Sequence, residues 1–399
     1  MQEAIASGMT EPASLHPVID PAICRGCGAC VKACPEGDIL GLINRKAKLV
    51  TPANCIGHGA CKTACPFDAI TLVFGTETRG VDIPVLKPNF ETNVPGIFIA
   101  GELGGMGLIR NAIEQGKQAA ADIARTLNKK TAADLDLIIV GAGPAGIAAS
   151  LTAKQLNLKF TTIDQDSLGG TVSHFPRSKI VMTAPVELPI IGKVTFRETS
   201  KEALLDFWQK AIDKASLVIN FGERLENVET HNDYFKVITT GGQYTASRLL
   251  LCLGRRGTPR TLGVKGEELS KVVYRLIDPA QYRNQRVLVV GGGDSALEAA
   301  VSIAEEPGTK VTLSYRSESF SRAKPKNREK VAMAEQTNKI QVLMKSDVRE
   351  ISADMVAIEK DNKTYQVKND HVIVCAGGIL PTPFLEKIGI TIETKYGTA

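Results

Sequence analysis

The chain has 399 residues, of which 43% are hydrophobic, and this is enough for two to four domains with proper cores. Its formal net charge is +5, from 48 Lys and Arg against 43 Asp and Glu. This charge is too small to indicate the concentrated basic surface that nucleic-acid binding needs. No apolar run approaches the roughly 20 residues of a membrane span, and the N-terminus lacks the pattern of a signal peptide. We therefore expect a globular, cytoplasmic protein without a nucleic-acid partner or a membrane span.

Seven of the nine cysteines lie close together near the N-terminus, at short fixed spacings. The first four are Cys24, Cys27, Cys30 and Cys34, and Pro35 follows them. This C-x2-C-x2-C-x3-C-P run is typical of bacterial ferredoxins, in which three thiolates hold one iron–sulfur cluster and the fourth reaches another. A zinc site suits this run poorly, because four cysteines are crowded into eleven residues. The clustering favours metal clusters in a reducing compartment over a disulfide framework.

A second run repeats this spacing with one exception, because His58 stands where the second cysteine is expected. Its cysteines are Cys55, Cys61 and Cys65. Three alternatives exist for the iron atom that has no cysteine ligand. It is bound by the imidazole of His58, it carries an exchangeable ligand, or it is absent, which leaves a 3Fe–4S cluster. We favour His58, since a neutral imidazole can replace a thiolate and raises the potential by removing negative charge. In the other interpretation, His58 only fills the loop.

Two-cluster ferredoxins cross their ligands, so that each cluster takes three from one run and one from the other. One 4Fe–4S cluster is therefore assigned the thiolates of Cys24, Cys27, Cys30 and Cys65. The other is assigned those of Cys34, Cys55 and Cys61. Residues 22–74 thus resemble a two-cluster bacterial ferredoxin domain, and residues 1–21 are predicted to be a polar tail.

A glycine-rich motif lies in the middle of the chain, at the end of the apolar run 137–140. Gly141, Gly143 and Gly146 have the spacing G-x-G-x-x-G and open an Ala-rich predicted helix, and the next predicted strand closes with Asp164. Glycines at these positions permit a tight turn and let backbone N–H groups approach a pyrophosphate, while Asp164 is placed to accept a hydrogen bond from a ribose hydroxyl. The pattern predicts a dinucleotide-binding βαβ unit.

A second fingerprint follows the predicted strand 286–290. It consists of Gly291, Gly293 and Ala296, and alanine is permitted at the third position. Two fingerprints in one chain predict two bound dinucleotides.

The strand after the second fingerprint, 311–315, ends without an acidic residue. Arg316 follows it directly and Arg322 lies beyond. An acid at this point would bind a ribose 2′-hydroxyl, whereas arginine suits a 2′-phosphate. This favours NADPH, although Glu318 lies close by and NADH is the alternative. The basic run 322–330 extends the phosphate site, docks a partner or forms a solvated face.

Residues 93–102 (NVPGIFIAGE) and the helix-like stretch up to Leu127 resemble the closing strand and helix of flavoprotein reductases of the thioredoxin-reductase type. In those enzymes a Gly-Asp pair, here Gly101-Glu102, contacts the ribityl chain and pyrophosphate of FAD, and Gly170 falls where the family contacts the flavin. The segment ends the family's chain, but here it precedes the first fingerprint. The simplest account is a circular permutation. In the alternative interpretations, this segment is a remnant of a duplicated reductase, or it completes a site in a partner protein.

The resemblance implies an α/β flavoprotein with FAD and NAD(P) Rossmann-like domains, fused to an N-terminal α+β ferredoxin-like domain. We predict seven segments along the chain: residues 1–21 as a tail, 22–74 as the ferredoxin-like domain, 75–127 as the permuted C-terminal part of the FAD domain, 128–135 as a linker, 136–257 as the FAD domain, 258–371 as the NAD(P)-binding domain, and 372–399 as the return to the FAD domain.

Thioredoxin reductases carry a Cys-x-x-Cys before the NADPH fingerprint, but residues 272–283 contain no cysteine. Cys252 and Cys375 lie in apolar strands and are expected to be structural. The chain is therefore more similar to the thioredoxin-reductase-like ferredoxin–NADP reductases, and also to bacillithiol-disulfide-reductase-like flavoproteins. Neither resemblance requires a side chain that acts as acid or base.

The resemblance implies an oxidoreductase that transfers electrons through FAD between NAD(P)H and the clusters, or a ferredoxin-type or other redox protein, in either direction. Homodimers are common in this family. One alternative is a redox-sensing or electron-relay subunit without turnover of its own. Another is an electron-bifurcating flavoprotein subunit.

Overall fold

The computed structural model describes residues 12, 15–35, 37–52, 55, 57, 59–78, 80–105, 107–127, 132–175, 177, 180–182, 185–196, 198–255, 257, 259–321 and 323–398. The chain divides into two compact units, each built from separate stretches of sequence. The first comprises Met1–Gly80, Thr258–Ile379 and Tyr396–Ala399, and the second comprises Val81–Gly257 and Leu380–Lys395.

The N-terminal segment of the first unit forms two small antiparallel sheets and two short helices. Its elements are β1 (His16–Ile19), α1 (Ala29–Ala33), β2 (Leu40–Ile43), β3 (Lys46–Leu49), α2 (Ala60–Thr63) and β4 (Ile70–Val73). β1 pairs with β4, and β2 pairs with β3 through a tight turn at Asn44 and Arg45, whose φ angles of 51° and 59° are left-handed. Cys24, Cys30 and Cys61 are buried among the apolar residues of this segment, so the cysteines are part of its core.

β1 corrects one prediction from the sequence. Residues 1–21 were expected to form a polar tail, but residues 16–19 form a strand in which His16 pairs with Val73 and Ile19 with Ile70. The sequence of this strand, HPVI, does not alternate apolar and polar residues, so the period-two pattern of a strand is absent. The strand depends on hydrogen bonds to β4, which is distant along the chain.

The second unit contains the largest sheet among the described residues. Its elements in order are β5 (Val81–Pro84), β6 (Ile97–Ile99), α3 (Ile109–Thr126), β7 (Leu135–Val140), α4 (Pro144–Gln155), β8 (Phe160–Asp164), β9 (Ile180–Met182), β10 (Val186–Leu188), β11 (Gly192–Val194), β12 (Glu198–Ser200), α5 (Lys201–Ala215), β13 (Ile219–Phe221), β14 (Leu225–Thr230), β15 (Phe235–Thr239) and β16 (Gly242–Leu251).

The large sheet has seven strands in the order β13-β8-β7-β16-β15-β14, and β6 also pairs with β16. β13, β8, β7, β16 and β6 run parallel, while β14 and β15 run antiparallel to their neighbours. β16 is long enough to pair with β15 along its first half and with β6 along its last three residues, Leu249–Leu251. The carboxyl ends of the parallel strands therefore meet along one edge, where nucleotides bind in sheets of this type.

The remaining part of the first unit contains a five-stranded parallel sheet in the order β17-β24-β18-β19-β20 and a three-stranded antiparallel sheet, β21-β22-β23. The elements are β17 (Val272–Val273), β18 (Arg286–Val290), α6 (Asp294–Ala304), β19 (Lys310–Tyr315), α7 (Pro325–Gln336), β20 (Ile340–Met344), β21 (Ser346–Ile351), β22 (Met355–Lys360), β23 (Lys363–Lys368) and β24 (His371–Val374). The chain then returns to the second unit with α8 (Thr382–Lys387) and β25 (Ile392–Lys395).

β6 and α3 precede β7 in the sequence, yet they complete the same unit. α3 packs directly on α4, and a Cβ atom at Gly116 would lie 2.1 Å from the carbonyl oxygen of Ala145. β25 pairs antiparallel with β5, with Ile392 opposite Pro84 and Lys395 opposite Val81. The end of the chain and the segment before β6 are thus neighbours in space, as a circular permutation requires.

None of the helices in the described part of the chain is long and apolar enough to cross a membrane.

The close packing of α3 on α4 predicts an unusual response to Gly116→Ala. In an exposed helix this change gains up to about 1 kcal/mol. Here the added methyl group would meet a backbone carbonyl, so we expect a loss of about 1–3 kcal/mol in the free energy of unfolding, measured by chemical denaturation. Gln118→Ala, at an exposed position of the same helix, is the control and should change stability by less than about 0.5 kcal/mol. A Gly116→Ala variant as stable as the parent would contradict this packing.

Candidate functional site

The turn between β7 and α4 is closed so tightly that two of its glycines have no room for a side chain. A Cβ atom at Gly146 would lie 1.7 Å from the carbonyl oxygen of Gly141, and one at Gly141 would lie 2.4 Å from that of Cys252. Gly143 differs, because the nearest atom to its added Cβ is the Cα of Gly170, at 3.8 Å. The turn therefore leaves open space beside Gly143, at the N-terminus of α4, where backbone N–H groups and the helix dipole favour a phosphate.

Asp164 ends β8 next to this turn and is 8% exposed. Its Oδ2 accepts a hydrogen bond from the N–H of Ala142 at 2.5 Å, and its Oδ1 accepts one from the N–H of Asp166 at 2.8 Å. Burial raises the pKa of this carboxyl group, and the two backbone donors oppose that shift. A carboxylate has about four acceptor sites, so Asp164 can still accept from a ligand hydroxyl while it is held against the turn.

The end of β6 lies on the first turn of α4. A Cβ atom at Gly101 would be 3.1 Å from the Cβ of Ala145, and the N–H of Gly101 donates to Oε1 of Gln115 at 2.8 Å. Glu102 is partly exposed, and its carboxylate lies against Gly107. The structure thus brings Gly101, Gly143 and Gly170 to the same edge of the sheet, although they are far apart in the sequence.

Gln115 was not identified from the sequence as part of this site. The only signal was a polar residue within a predicted helix whose other faces carry many small and apolar residues.

The second fingerprint repeats the geometry of the first. A Cβ atom at Gly291 would lie 2.4 Å from the carbonyl oxygen of Cys375, just as Gly141 faces that of Cys252. Ala296 is fully buried, and its methyl group would be 3.1 Å from the same Cβ. Gly293 has nothing within 4 Å of its added Cβ, so this turn also leaves open space at the N-terminus of a helix, here α6. Both turns therefore fit a dinucleotide pyrophosphate.

Tyr315, at the end of β19, covers the middle glycine of this turn. A Cβ atom at Gly292 would lie 2.3 Å from the phenol ring of Tyr315, which stacks with Phe320 at a centroid distance of 5.6 Å. Arg316 follows Tyr315 and is exposed, while Arg322 lies outside the described residues. The sequence predicted a strand that ends at Tyr315 but gave no indication that its ring packs on the glycine turn.

Asp294, the first residue of α6, connects the second fingerprint to the basic segment that follows β19. Its Oδ1 accepts from the N–H of Lys324 at 2.8 Å and from Nδ2 of Asn327 at 2.7 Å. Asn327 is buried, and its Nδ2 also donates to Oε1 of Glu298 at 3.2 Å. The start of α7 is therefore fixed against the start of α6.

The cysteines of the N-terminal segment surround two separate cavities. The first is lined by Cys24, Cys27, Cys30 and Cys65. The second is lined by Cys34, Cys55 and Cys61. Each run of cysteines contributes to both cavities, which is the crossed arrangement of two-cluster ferredoxins. His58 lies outside the described residues.

The thiol groups line the walls of each cavity and do not converge on one point. Within the described ranges, no group of three His, Cys, Asp or Glu side chains is placed to hold a single metal ion. A cubane cluster needs a different geometry, because each thiolate binds a different iron atom at its corner. Soft thiolate ligands around a cavity of this kind suit an iron–sulfur cluster.

Backbone donors and burial act in opposite directions on these thiols. The N–H groups of Ala47 and Gly26 lower the pKa of Cys24, and the Ala47 N–H lies 3.4 Å from its Sγ. Burial raises the pKa of Cys30, and it raises that of Cys61 to about 11. A bound metal centre deprotonates its thiol ligands, so formation of a cluster here would be coupled to release of protons.

Cys252 and Cys375 take no part in these cavities. Cys252 is 7% exposed and burial raises the pKa of its thiol. The backbone carbonyl of each residue packs on the first glycine of a fingerprint, which gives both positions a structural role.

Comparison with protein families identifies two regions in this chain. Residues 138–398 match the pyridine nucleotide-disulphide oxidoreductase family, and residues 16–66 match the 4Fe-4S dicluster domain. The first match begins after α3 and so excludes β6 and α3, in agreement with a permuted order of the chain.

Curated relatives cover the flavoprotein part. Bacilliredoxin reductase Bdr of Bacillus subtilis is 26% identical over 267 residues, which are 65% of this chain and 82% of that protein. A ferredoxin–NADP reductase of Thermus thermophilus is 29% identical over 271 residues, which are 65% of this chain and 77% of that protein.

Solved structures share the same fold. Bacillithiol disulfide reductase Bdr from Staphylococcus aureus has a TM-score of 0.56 at 24% identity, with 65% of this chain and 81% of that chain covered. Lactococcus lactis thioredoxin reductase has a TM-score of 0.51 at 24% identity, with 65% and 82% covered. The predicted fold class, a two-dinucleotide-domain flavoprotein with an N-terminal ferredoxin-like domain, is therefore confirmed.

The match over residues 138–398 covers more than half of the chain, and the second match supplies the N-terminal cysteine runs. The chain therefore belongs to the pyridine nucleotide-disulphide oxidoreductase family, as an FAD-dependent oxidoreductase with an N-terminal 4Fe–4S dicluster domain.

Proposed function

We propose that this protein transfers electrons between NADPH and its two iron–sulfur clusters through FAD, and exchanges them with a ferredoxin-type protein. The observation that carries the proposal is the combination, in one chain, of two open glycine turns and two cysteine-lined cavities. Ferredoxin–NADP reductases recur among the relatives, and the stretch 272–283 lacks the cysteine pair of a thiol-disulfide enzyme.

FAD is assigned to the first turn. Gly141 and Gly146 keep the turn closed, and the space beside Gly143 accepts the pyrophosphate. Asp164 accepts a hydrogen bond from a ribose hydroxyl. The further contacts are assigned to Gly101, Glu102 and Gly170. When bound, FAD supplies chemistry that no side chain offers, namely uptake of two electrons together and their release one at a time.

NADPH is assigned to the second turn, because this turn is closed by the same kind of backbone contact and also leaves room for a pyrophosphate. Gly291 and Ala296 allow β18 and α6 to pack closely, and Gly293 leaves room for the pyrophosphate. Arg316, at the end of β19, is the candidate for the 2′-phosphate, together with Arg322 on the basis of the sequence. The hydrogen bonds from Lys324 and Asn327 to Asp294 support this assignment, because they fix the basic segment beside the turn.

The clusters are assigned to the two cavities. Cys24, Cys27, Cys30 and Cys65 hold a 4Fe–4S cluster. Cys34, Cys55 and Cys61 provide three ligands of the second cluster, and His58 is the proposed fourth on the basis of its place in the sequence. Without that ligand the second cluster is of the 3Fe–4S type. Loss of one thiolate removes one negative charge, so the second cluster is expected to have the higher potential.

The electrons and the proton of the proposed reaction balance without a further reactant. One NADPH gives up a hydride, which carries two electrons, and becomes NADP⁺. The cysteines of the two cavities would hold the clusters, each of which would store one of these electrons, while a proton is released to solvent. The protein partner then removes the electrons one at a time, and with a strongly reducing partner the same steps run backwards to form NADPH. The side chains bind and orient the cofactors, and none is required as an acid or a base.

The open positions in the two turns predict a reciprocal pair of variants. Gly143→Ala and Gly293→Ala should both fold, because neither added methyl group meets an atom closer than 3.8 Å. Gly143→Ala should lose bound FAD, measured by the flavin absorbance of the purified protein. Gly293→Ala should keep FAD and weaken NADPH binding by at least about tenfold, since the methyl group takes up space needed by the pyrophosphate. A normal FAD content in Gly143→Ala would contradict the assignment of FAD to the first turn.

The division of the cysteines between two cavities predicts separable effects on the clusters. Cys27→Ala should abolish the EPR signal of the first cluster and leave that of the second, and Cys61→Ala should do the reverse. Iron content should fall in each variant by the amount that one cluster contains. If either variant changed both signals equally while the protein stayed folded, the proposed partition would be wrong.

The proposed function predicts a selective loss of activity in the cluster variants. Under anaerobic conditions Cys27→Ala should reduce a bacterial ferredoxin with NADPH at least about tenfold more slowly than the parent. Its reduction of ferricyanide, which takes electrons from the flavin directly, should change by less than about twofold. Gly293→Ala is the matched control and should slow both reactions. A Cys27→Ala protein that reduces ferredoxin at the parent rate would contradict the proposal.

A further inference from the structure

A third cavity lies at the opposite end of the five-stranded parallel sheet from the glycine turn. It is lined by Arg286 and Lys310, the first residues of β18 and β19, by Lys339 just before β20, and by Lys368 and Asn369 at the end of β23. Its volume is about 320 Å³, at the lower end of the range of small-molecule sites. The five residues of β18 span about 17 Å, so this cavity is separate from the dinucleotide turn.

The lining of this cavity is positively charged. It contains four cationic side chains and no carboxylate. Arg286 is held by the neighbouring Asp370, through hydrogen bonds of 2.9 Å from Nε and 2.6 Å from a terminal nitrogen. Across the described part of the chain, no acidic side chain forms an ion pair with Lys310, Lys339 or Lys368. These three ammonium groups are therefore available to an anion.

Asn369 contributes an unpaired acceptor to the same lining. The residue is 1% exposed, and its Nδ2 donates to the carbonyl oxygen of His371 at 2.6 Å, which fixes the orientation of the amide. Its Oδ1 is the one buried side-chain polar atom without a hydrogen-bond partner among the residues that the structure describes. A buried acceptor of this kind is normally satisfied by a donor, and a ligand hydroxyl would supply one.

Two of the lysines also lie close to the ends of helices. Lys310 follows α6 and Lys339 follows α7, and cations near helix C-termini offset the partial negative charge there. That effect accounts for two of the charges. The effect does not explain the cavity, the position of Lys368 or the unpaired oxygen of Asn369.

We propose that this cavity binds a small phosphorylated molecule that also carries a hydroxyl group, of the sugar phosphate or mononucleotide class. The ammonium groups of Lys310, Lys339 and Lys368 bind the phosphate, which lysine recognises as a point charge. Oδ1 of Asn369 accepts the hydroxyl proton in a hydrogen bond. The inference is independent of the proposed function, because it uses no residue assigned to FAD, NADPH or the clusters.

The test is calorimetric titration of the cofactor-loaded protein with ribose 5-phosphate, ribose and inorganic phosphate. Ribose 5-phosphate should bind at least about tenfold more tightly than either of the other two, since only it engages both the lysines and Asn369. The double variant Lys310→Gln/Lys339→Gln should weaken this binding by at least about tenfold. Lys363→Gln, an exposed lysine of β23 outside the cavity, is the control for net charge and should bind as the parent does.

Gly293→Ala separates this site from the dinucleotide turn and should also bind ribose 5-phosphate as the parent does. Loss of binding in Gly293→Ala with retention in the lysine variant would place the ligand at the dinucleotide turn and overturn the proposal. Equal affinities for ribose 5-phosphate and inorganic phosphate would overturn the role of Asn369. Absence of binding by ribose 5-phosphate at millimolar concentrations would overturn the whole inference.

Discussion

The backbone of Gly146 approaches the carbonyl oxygen of Gly141 so closely that a Cβ atom would lie 1.7 Å from it, and the second unit depends on this contact. It lets α4 begin directly at the end of β7, and the equally close contact of Gly141 with Cys252 brings β16 alongside. Once these elements meet without side chains between them, the space beside Gly143 remains open at the helix N-terminus. The same constraint recurs where Gly291 meets Cys375.

The features that the sequence predicted correctly are those whose physical cause is local. The two glycine turns need glycine at fixed spacings, and the parallel strand Arg286–Val290 appears as an apolar run because it lies inside its sheet, between β24 and β19. The grouping of seven cysteines around two cavities also followed from their spacing, although their ligation to iron stays a prediction. The permuted order could be inferred because the segment 93–102 keeps its own recognisable pattern.

The features that the sequence did not indicate depend on contacts between distant residues. The three-stranded sheet was not predicted, because its edge strand Lys363–Lys368 is polar and almost wholly exposed. Helix α5 begins at Lys201 because the hydroxyl of Ser200 caps it, and the residues just before it pair with β9. The ring of Tyr315 over Gly292, and the unpaired oxygen of Asn369, result from tertiary packing that no periodicity encodes.

In the proposed function, electrons from NADPH reach the clusters within one protein molecule. The most direct measurement is rapid-freeze EPR combined with absorbance after the anaerobic, cofactor-loaded protein is mixed with excess NADPH. We expect the flavin absorbance to fall first and EPR signals of reduced clusters to grow afterwards, at rates independent of protein concentration. Complete bleaching of the flavin with both clusters still oxidised, in a sample whose clusters dithionite does reduce, would contradict it.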